Sequence, residues 1–240
     1  MIYKTFPALF LMVISFSISN LFFSESKTEK KMEVAKVIKT TSESNEEVIY
    51  NNLDSNDFAL PKLESFSEAL KGFYLLKEKG LVRRNILTLI DFSMSSNSKR
   101  LWVIDLTTNT ILYNSLVAHG RNTGNEFATS FSNSAQSFKS SLGFYATGEI
   151  YSGKHGKSLR LDGLEKGIND NARVRAVVIH GAEYVSNSFI QNNKRLGRSL
   201  GCPALPINLS SEIIQTIKDK SCLFIYYPSD NYKTASKLVS

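Results

Sequence analysis

Two cysteines and three histidines are the side chains of this 240-residue chain best suited to covalent chemistry. Cys202 lies in Gly197-Arg-Ser-Leu-Gly201-Cys202-Pro203, and His180 ends an apolar run as Ile179-His180-Gly181. A thiol attacks carbonyls as its thiolate, so a nucleophilic Cys needs an imidazole nearby to take its proton. Gly201 permits a tight turn that would present the sulfur, and backbone N–H groups around such a turn can face a developing oxyanion. Pro203 has no N–H and adds nothing there. Other readings stay open. A Cys is often a small buried hydrophobe, and a Cys202–Cys222 disulfide is compatible with an oxidising compartment. Cys222 directly precedes an apolar strand and reads as core.

His119, His155 and His180 are each followed by Gly. Three imidazoles, with Glu183 as base, would make a metallopeptidase arithmetically possible. However, no pair has the i, i+4 spacing of a helical zinc motif. His119 reads as a strand-end residue lining the same cleft as Cys202, and His155, in a Gly/Lys loop, reads as exposed. Two cysteines are too few for a disulfide framework or an all-Cys zinc site. The metal signal is therefore weak.

The elements that must position these residues read mainly as β. Leu63, Phe66, Leu70, Phe73 and Tyr74 fall at helical spacing, which predicts one amphipathic helix ending near Lys79 before Gly80. Strand patterns follow at Ile86 to Phe92, at Gly143 to Gly148, at Val174 to Ile179 and at Leu223 to Tyr227. Leu101 to Leu106 and Ile111 to Val117 flank a Thr/Asn turn and form a predicted hairpin. Ser210 or Ser211 is expected to cap a short helix with Glu212 in its first turn and Lys218 and Lys220 towards its end. Two stretches, Gly120 to Leu142 and Ser152 to Ala172, read as long loops. Such loops in a compact domain are usually functional or disordered, and Phe127, Phe131 and Phe138 favour an ordered, substrate-facing role for the first.

Lys4 followed by an apolar run from Phe6 to Phe23 has the layout of a secretory signal peptide or N-terminal anchor, broken by Ser15, Ser17, Ser19 and Asn20. Residues 24–60 are polar and read as a disordered linker, 61–230 as the catalytic domain and 231–240 as a tail. The expected location is outside the cytoplasm, in the periplasm or cell envelope. The net charge of +7 is concentrated accordingly: residues 61–240 carry 23 Lys/Arg against 14 Asp/Glu, while residues 1–60 are net acidic. Outside the cytoplasm nucleic acid is not an expected partner, and an anionic wall polymer or, peripherally, a membrane surface is.

Two segments, Val178-Ile-His180-Gly-Ala-Glu-Tyr-Val-Ser186 and Gly197-Arg-Ser-Leu-Gly-Cys-Pro-Ala204, resemble the active-site segments of the L,D-transpeptidase catalytic domain family. The match is closer to its murein branch with a Ser-x-Gly-Cys-Pro form. Arg100 to Asp105, Val117 to Gly120, Phe131 to Asn133, Ser140 to Phe144 and Leu159 to Leu164 are also similar, so the resemblance covers roughly residues 63 to 228. It implies a β-sandwich or barrel with a preceding amphipathic helix and a short helix after the active-site loop. Cys202 is then the nucleophile and His180 the general base and acid. Ser199 shapes the site, and Gly201 and Cys202 supply backbone donors to the oxyanion. Gly181, Arg198, His119 and Tyr184 are the expected substrate contacts. Two departures stand out. Leu200 and Pro203-Ala204 occupy places where the wider family has His and Arg, which leaves Arg198 or Arg195 as the substitute cation. The step from His180 to Cys202 is also longer than usual, with Asn192-Asn193-Lys194 in the insertion.

The resemblance implies a peptidoglycan L,D-transpeptidase, free of metal and cofactor, that forms a Cys thioester with a stem peptide and passes it to an amine, with sensitivity to carbapenems. Two alternatives remain at this point: a Cys-dependent wall amidase or hydrolase, and a non-catalytic wall-binding module.

Overall fold

In the computed structural model the described residues are 44–239. The expected signal segment, and the linker up to residue 43, lie outside them. No described helix is long and apolar enough to cross a membrane.

The chain runs through α1 (Asn45–Asn51), α2 (Leu63–Glu78), β1 (Ile86–Asp91), β2 (Leu101–Asp105), β3 (Thr110–Ser115), β4 (Gly143–Gly153), β5 (Gly156–Gly163) and β6 (Val178–Gly181). It continues through α3 (Asn187–Asn193), β7 (Ala204–Leu205), α4 (Ile207–Ile217), β8 (Cys222–Tyr226) and α5 (Asp230–Ala235). The strands make one mixed eight-stranded sheet in the order β3-β2-β1-β8-β4-β5-β6-β7, curled into a nearly closed barrel with helices on its flanks. β8 lies at its centre, parallel to β1 and antiparallel to β4, and all five of its residues are buried. That double coverage explains its unbroken apolar run, Leu-Phe-Ile-Tyr.

Helix α2 forms where its apolar spacing predicts. Phe66, Ala69, Leu70, Phe73 and Leu76 face the core, while Leu63 and Tyr74 remain exposed at the edge of the stripe. Gly72 sets how closely the helix docks, because a Cβ there would come within 2.0 Å of the Phe144 ring. Phe144 in turn stacks on Phe224, with centroids 4.1 Å apart, so helix and sheet share one core.

Four expectations are corrected. The stretch expected as a loop at 152–172 contains β5, joined to β4 by a tight hairpin with Gly153 opposite Gly156. Its alternation, Ser158-Leu159-Arg160-Leu161, is short and sits beside a Gly/Lys-rich turn that hides it. The strand expected from Val174 begins only at Val178, because residues 174–176 form a turn with Ala176 in the left-handed region at φ +55°. Helix α4 starts after Pro206, so Ser210 lies inside it, buried, rather than capping it. The last correction concerns the ends of the domain. Residues 44–60 include α1, whose Ser44 and Glu47 form a reciprocal cap, and Leu53 is buried in the core. At the other end Tyr232 and Ser236 donate hydrogen bonds to the buried carboxylate of Glu165, which fastens the segment read as a tail.

Candidate active site

Strand β6 is paired on both sides, antiparallel to β5 and parallel to β7, and the register places His180 opposite Ser158 and Ala204. Ala204 is only two residues beyond Cys202. The pairing that fixes the imidazole therefore also brings the thiol turn alongside it. A strap of residues 118–121 brackets the turn from the other side, through bridges Ala118 to Ala204 and Gly120 to Ser199. Ser199 N–H donates to His119 O (3.0 Å) and Arg121 N–H donates to Ser199 O (2.8 Å). A small separate cluster, Leu116, Ala118, Ala182, Val185, Leu196 and Ala204, packs beneath this end of the barrel.

Gly201 is at φ +126°, a conformation strained for any side chain, and an added Cβ would sit 2.9 Å from Lys139 O. Ser199 Oγ pins the turn by accepting from Gly201 N–H (3.0 Å) and donating to Cys202 O (2.6 Å). This revises the expected oxyanion donors. The Gly201 amide is committed to Ser199, whereas the Cys202 amide makes no hydrogen bond among the described residues and is the donor the turn leaves open.

Cys202 is partly exposed and Cys222 fully buried, and both are free thiols. The Cys202 sulfur accepts from Val178 N–H (3.5 Å) and donates to Ala176 O (3.8 Å). Burial pushes its pKa up, while the Val178 amide and the charge of Arg175 work against that rise. His180 is buried, and its Nδ1 lies 3.0 Å from Gly181 O. A carbonyl only accepts, so Nδ1 carries the hydrogen and Nε2 keeps its lone pair for a proton. Burial holds the His180 pKa below the ordinary imidazole value. The Gly181 carbonyl opposes this and the nearby His155 reinforces it. The ring is thus neutral near pH 7, the state that a proton acceptor requires.

Cys202 and His180 line one cavity of about 460 Å³, together with Ser199, Arg198, Arg175 and Tyr184. A second, of about 560 Å³, adjoins it across Tyr184 and His155 and is lined also by Gly181, Glu183 and Ile207. Tyr184 therefore faces both, and burial pushes its phenol up to about 12, so it is neutral at physiological pH. Arg198 reaches the cavity, but its Nη1 donates to Arg121 O (3.1 Å), Gly124 O (3.0 Å) and Asn125 Oδ1 (2.8 Å).

His119 does not join them. Its ring is buried against Phe92, Nδ1 accepts from Arg100 Nη2 (2.9 Å), and Nε2–H donates to Gly124 O (3.3 Å). Arg100 is itself buried, and its remaining donors are satisfied by Val117 O and Met94 O. The pair holds the strap in place from behind; it offers nothing to a ligand. The three histidines accordingly do not converge, although His155 stacks on His180 with centroids 4.4 Å apart. His155 is exposed, as expected, yet its place on the β4–β5 turn makes it part of the cavity wall. Arg175 was the larger omission of the sequence reading. It sits in a stretch that reads as strand, where alternation gives no hint that the backbone turns it toward the cysteine. The insertion between His180 and Cys202 is also accounted for: it forms α3, capped by Ser186 and ended by Lys194 in the left-handed region.

A family model described as YkuD_2, the L,D-transpeptidase catalytic domain, matches residues 60–226. No curated protein matches the chain. Among solved structures, an L,D-transpeptidase from Mycobacterium smegmatis is 10% identical, with 60% of this chain and 59% of that one covered and a TM-score of 0.37. The helical cell shape determining protein Pgp2 from Campylobacter jejuni is 15% identical, with 68% and 57% covered and a TM-score of 0.37. The chain thus spans less than two thirds of the length of either.

Proposed function

Because the chain belongs to the L,D-transpeptidase catalytic domain family, whose members act on peptidoglycan stem peptides, we propose that it is itself an exported peptidoglycan L,D-transpeptidase with Cys202 as nucleophile. The observation that carries this reading is the shared cavity: the Cys202 thiol and the His180 ring both face it, and His180 is held in the tautomer that leaves Nε2 free. His180 Nε2 takes the thiol proton. The sulfur attacks the carbonyl of an L-centred residue in the stem, and the Cys202 amide receives the developing oxyanion. Collapse expels the terminal D-amino acid, which leaves with the proton from His180, and a thioester remains. An amine of a second stem then attacks the thioester, giving its proton to His180 as the thiolate leaves. Dividing the exchange into two acyl transfers replaces one high barrier with two lower ones.

The basic surface suits an envelope polymer rich in free carboxylates. Purified chain incubated with stem tetrapeptide and an amine acceptor is expected to give cross-linked product and a Cys202 thioester by mass spectrometry. Cys202→Ala is expected to lose both by at least about a thousandfold while remaining folded. A carbapenem is expected to add covalently at Cys202. Release of tripeptide without dimer would move the reading to a hydrolase, and an acylatable Ala variant would end it.

A further inference from the structure

Residues 175–178 wrap the Cys202 sulfur from one side. Ala176 O accepts from the thiol, Val178 N–H donates to it, and Arg175 stands beside the turn, its Nη2 3.4 Å from where a Gly201 Cβ would be. The Arg175 side chain also reaches across to the long segment between β3 and β4. Its Nη1 donates to Ser132 O (2.8 Å) and Ser141 Oγ (2.6 Å), and its Nη2 to Ser137 Oγ (3.3 Å) and Lys139 O (2.6 Å). Each of these acceptors is neutral. The four Nη–H donors are therefore taken and only Nε–H is left, so no two-pronged clamp on a substrate carboxylate is open, but the charge is not cancelled by any of these partners.

We propose that Arg175 is a positioning residue that holds segment 132–141 against the Cys202 turn and supplies the positive charge that stabilises the Cys202 thiolate.

The other groups around the sulfur leave this role to it. On β6 and beyond, His180 is neutral until it takes the thiol proton, so it brings no charge to the resting site, and Tyr184 is a neutral phenol. From the β4–β5 turn, Lys154 and His155 line the cavity but are exposed to solvent, which screens them. Arg198, on the turn itself, is drawn toward the carbonyls of residues 121 and 124. Lys139 points to Ser130 Oγ (2.6 Å), and Tyr145, behind Arg175, donates to Ser141 O. Among the described residues no Asp or Glu lines the cavity. The left-handed Ala176 belongs to the same device. The turn at residues 174–176, with Ala176 in the left-handed region at φ +55°, brings Ala176 O to the sulfur and Arg175 alongside the Cys202 turn.

The proposal rests on Cys202 being the reactive thiol of the reading above, yet its test needs no wall substrate. Alkylation of Cys202 by iodoacetamide, followed by peptide mass spectrometry from pH 5 to pH 10, reports the thiol pKa in the full chain. Arg175→Met is expected to move the midpoint up by about one unit, a tenfold loss of thiolate near neutral pH. Arg175→Lys keeps the charge but not the fork. It is expected to shift the midpoint less and still to speed backbone hydrogen exchange across residues 132–141. A Ser137→Ala, Ser141→Ala double variant, which loosens the clamp and leaves the charge, serves if Arg175→Met does not fold, and is expected to keep the midpoint within a few tenths of a unit. An unchanged midpoint in folded Arg175→Met would overturn the proposal. Equal shifts in the Lys, Met and double-Ser variants would also do so, since packing alone would then explain them. A chain that fails to cross-link stems but shows the Arg175-dependent midpoint would remove the transpeptidase reading and leave this one standing.

Discussion

Cys202 and Cys222 are the same side chain in two kinds of burial. Cys222 opens β8, wholly enclosed, paired across to Leu87 of β1 and Ala146 of β4. Burial pushes its pKa far up, and the nearby carboxylate of Glu165 pushes the same way. Cys202 is also raised by burial, but a backbone amide and a guanidinium oppose the rise, and a cavity with an imidazole lies in front of it. On the proposed reading, reactivity is not a matter of exposing a thiol but of giving a half-buried sulfur the dipoles and charge that an enclosed one lacks.

The contrast depends first on the shape of the turn, and Gly201→Ala is the sharpest way to break it. The added methyl meets Lys139 O at 2.9 Å on a backbone at φ +126°, so the turn must move. A displacement near 1 Å at a nucleophile can cost about a hundredfold in rate. Transfer is expected to fall by that order, with a stability loss of about 1–3 kcal/mol from the strain. Kinetics with a stem tetrapeptide alongside a melting curve would separate the two. A variant as active as the parent would mean that the turn does not set the sulfur's position.

A second way to sharpen the contrast is acid, because the regions around the two cysteines are fastened differently. Behind Cys202 the strap depends on neutral His119, whose pKa burial pushes down to about 4, with the Arg100 charge adding to the effect. A histidine whose folded pKa lies below its unfolded value near 6.5 gives its full stability above that value, and loses it as pH falls toward 4. Lowering the pH from 7 to 4.5 is thus expected to cost on the order of 2 kcal/mol through this group alone. His119→Gln, which keeps an acceptor for Arg100 and has no imidazole to protonate, is expected to show a smaller drop in melting temperature over that range. Equal drops in the two proteins would show that the strap is not the acid-sensitive joint.

The same two regions explain how far the sequence could be read. Long, uniformly apolar runs, such as β1, β2 and β8, and the stripe of α2 identify themselves, because burial on both faces or on one face leaves a periodic trace. Gly201-Cys202 and Ile179-His180-Gly181 stood out for their chemistry, a thiol and an imidazole each beside a glycine, and the fold brings the two side chains to one cavity. What could not be read were facts of backbone path. The hairpin partner β5 is concealed by its glycines and lysines, and the turn at Ala176 interrupts a strand-like pattern without any Gly or Pro to mark it. His119 was misplaced for a related reason: a His-Gly pair at a strand end fits an interior hub and a cleft wall equally well, and only the buried Arg100 beside it decides. Arg175 and His155, five and 25 residues before His180, reach the site through turns that leave no periodic trace.

The gentlest test concerns Cys222. Replacing it with Ala removes one sulfur from a fully packed strand and leaves a small cavity between β1 and β4. The expected cost is about 1–2 kcal/mol, below that of a Leu-to-Ala change because fewer atoms are lost. Transfer should be unaffected, because β8 contributes nothing to the cavity in front of Cys202. Ser is the harsher replacement, since a hydroxyl enclosed among apolar neighbours needs a hydrogen-bond partner that a thiol does not. The order expected in denaturant melts is therefore parent, then Ala, then Ser, with the same rate of stem transfer in all three wherever they remain folded. A folded Ala variant with slowed transfer would mean that the core and the reactive turn are mechanically linked, and the two cysteines could no longer be treated as belonging to independent regions.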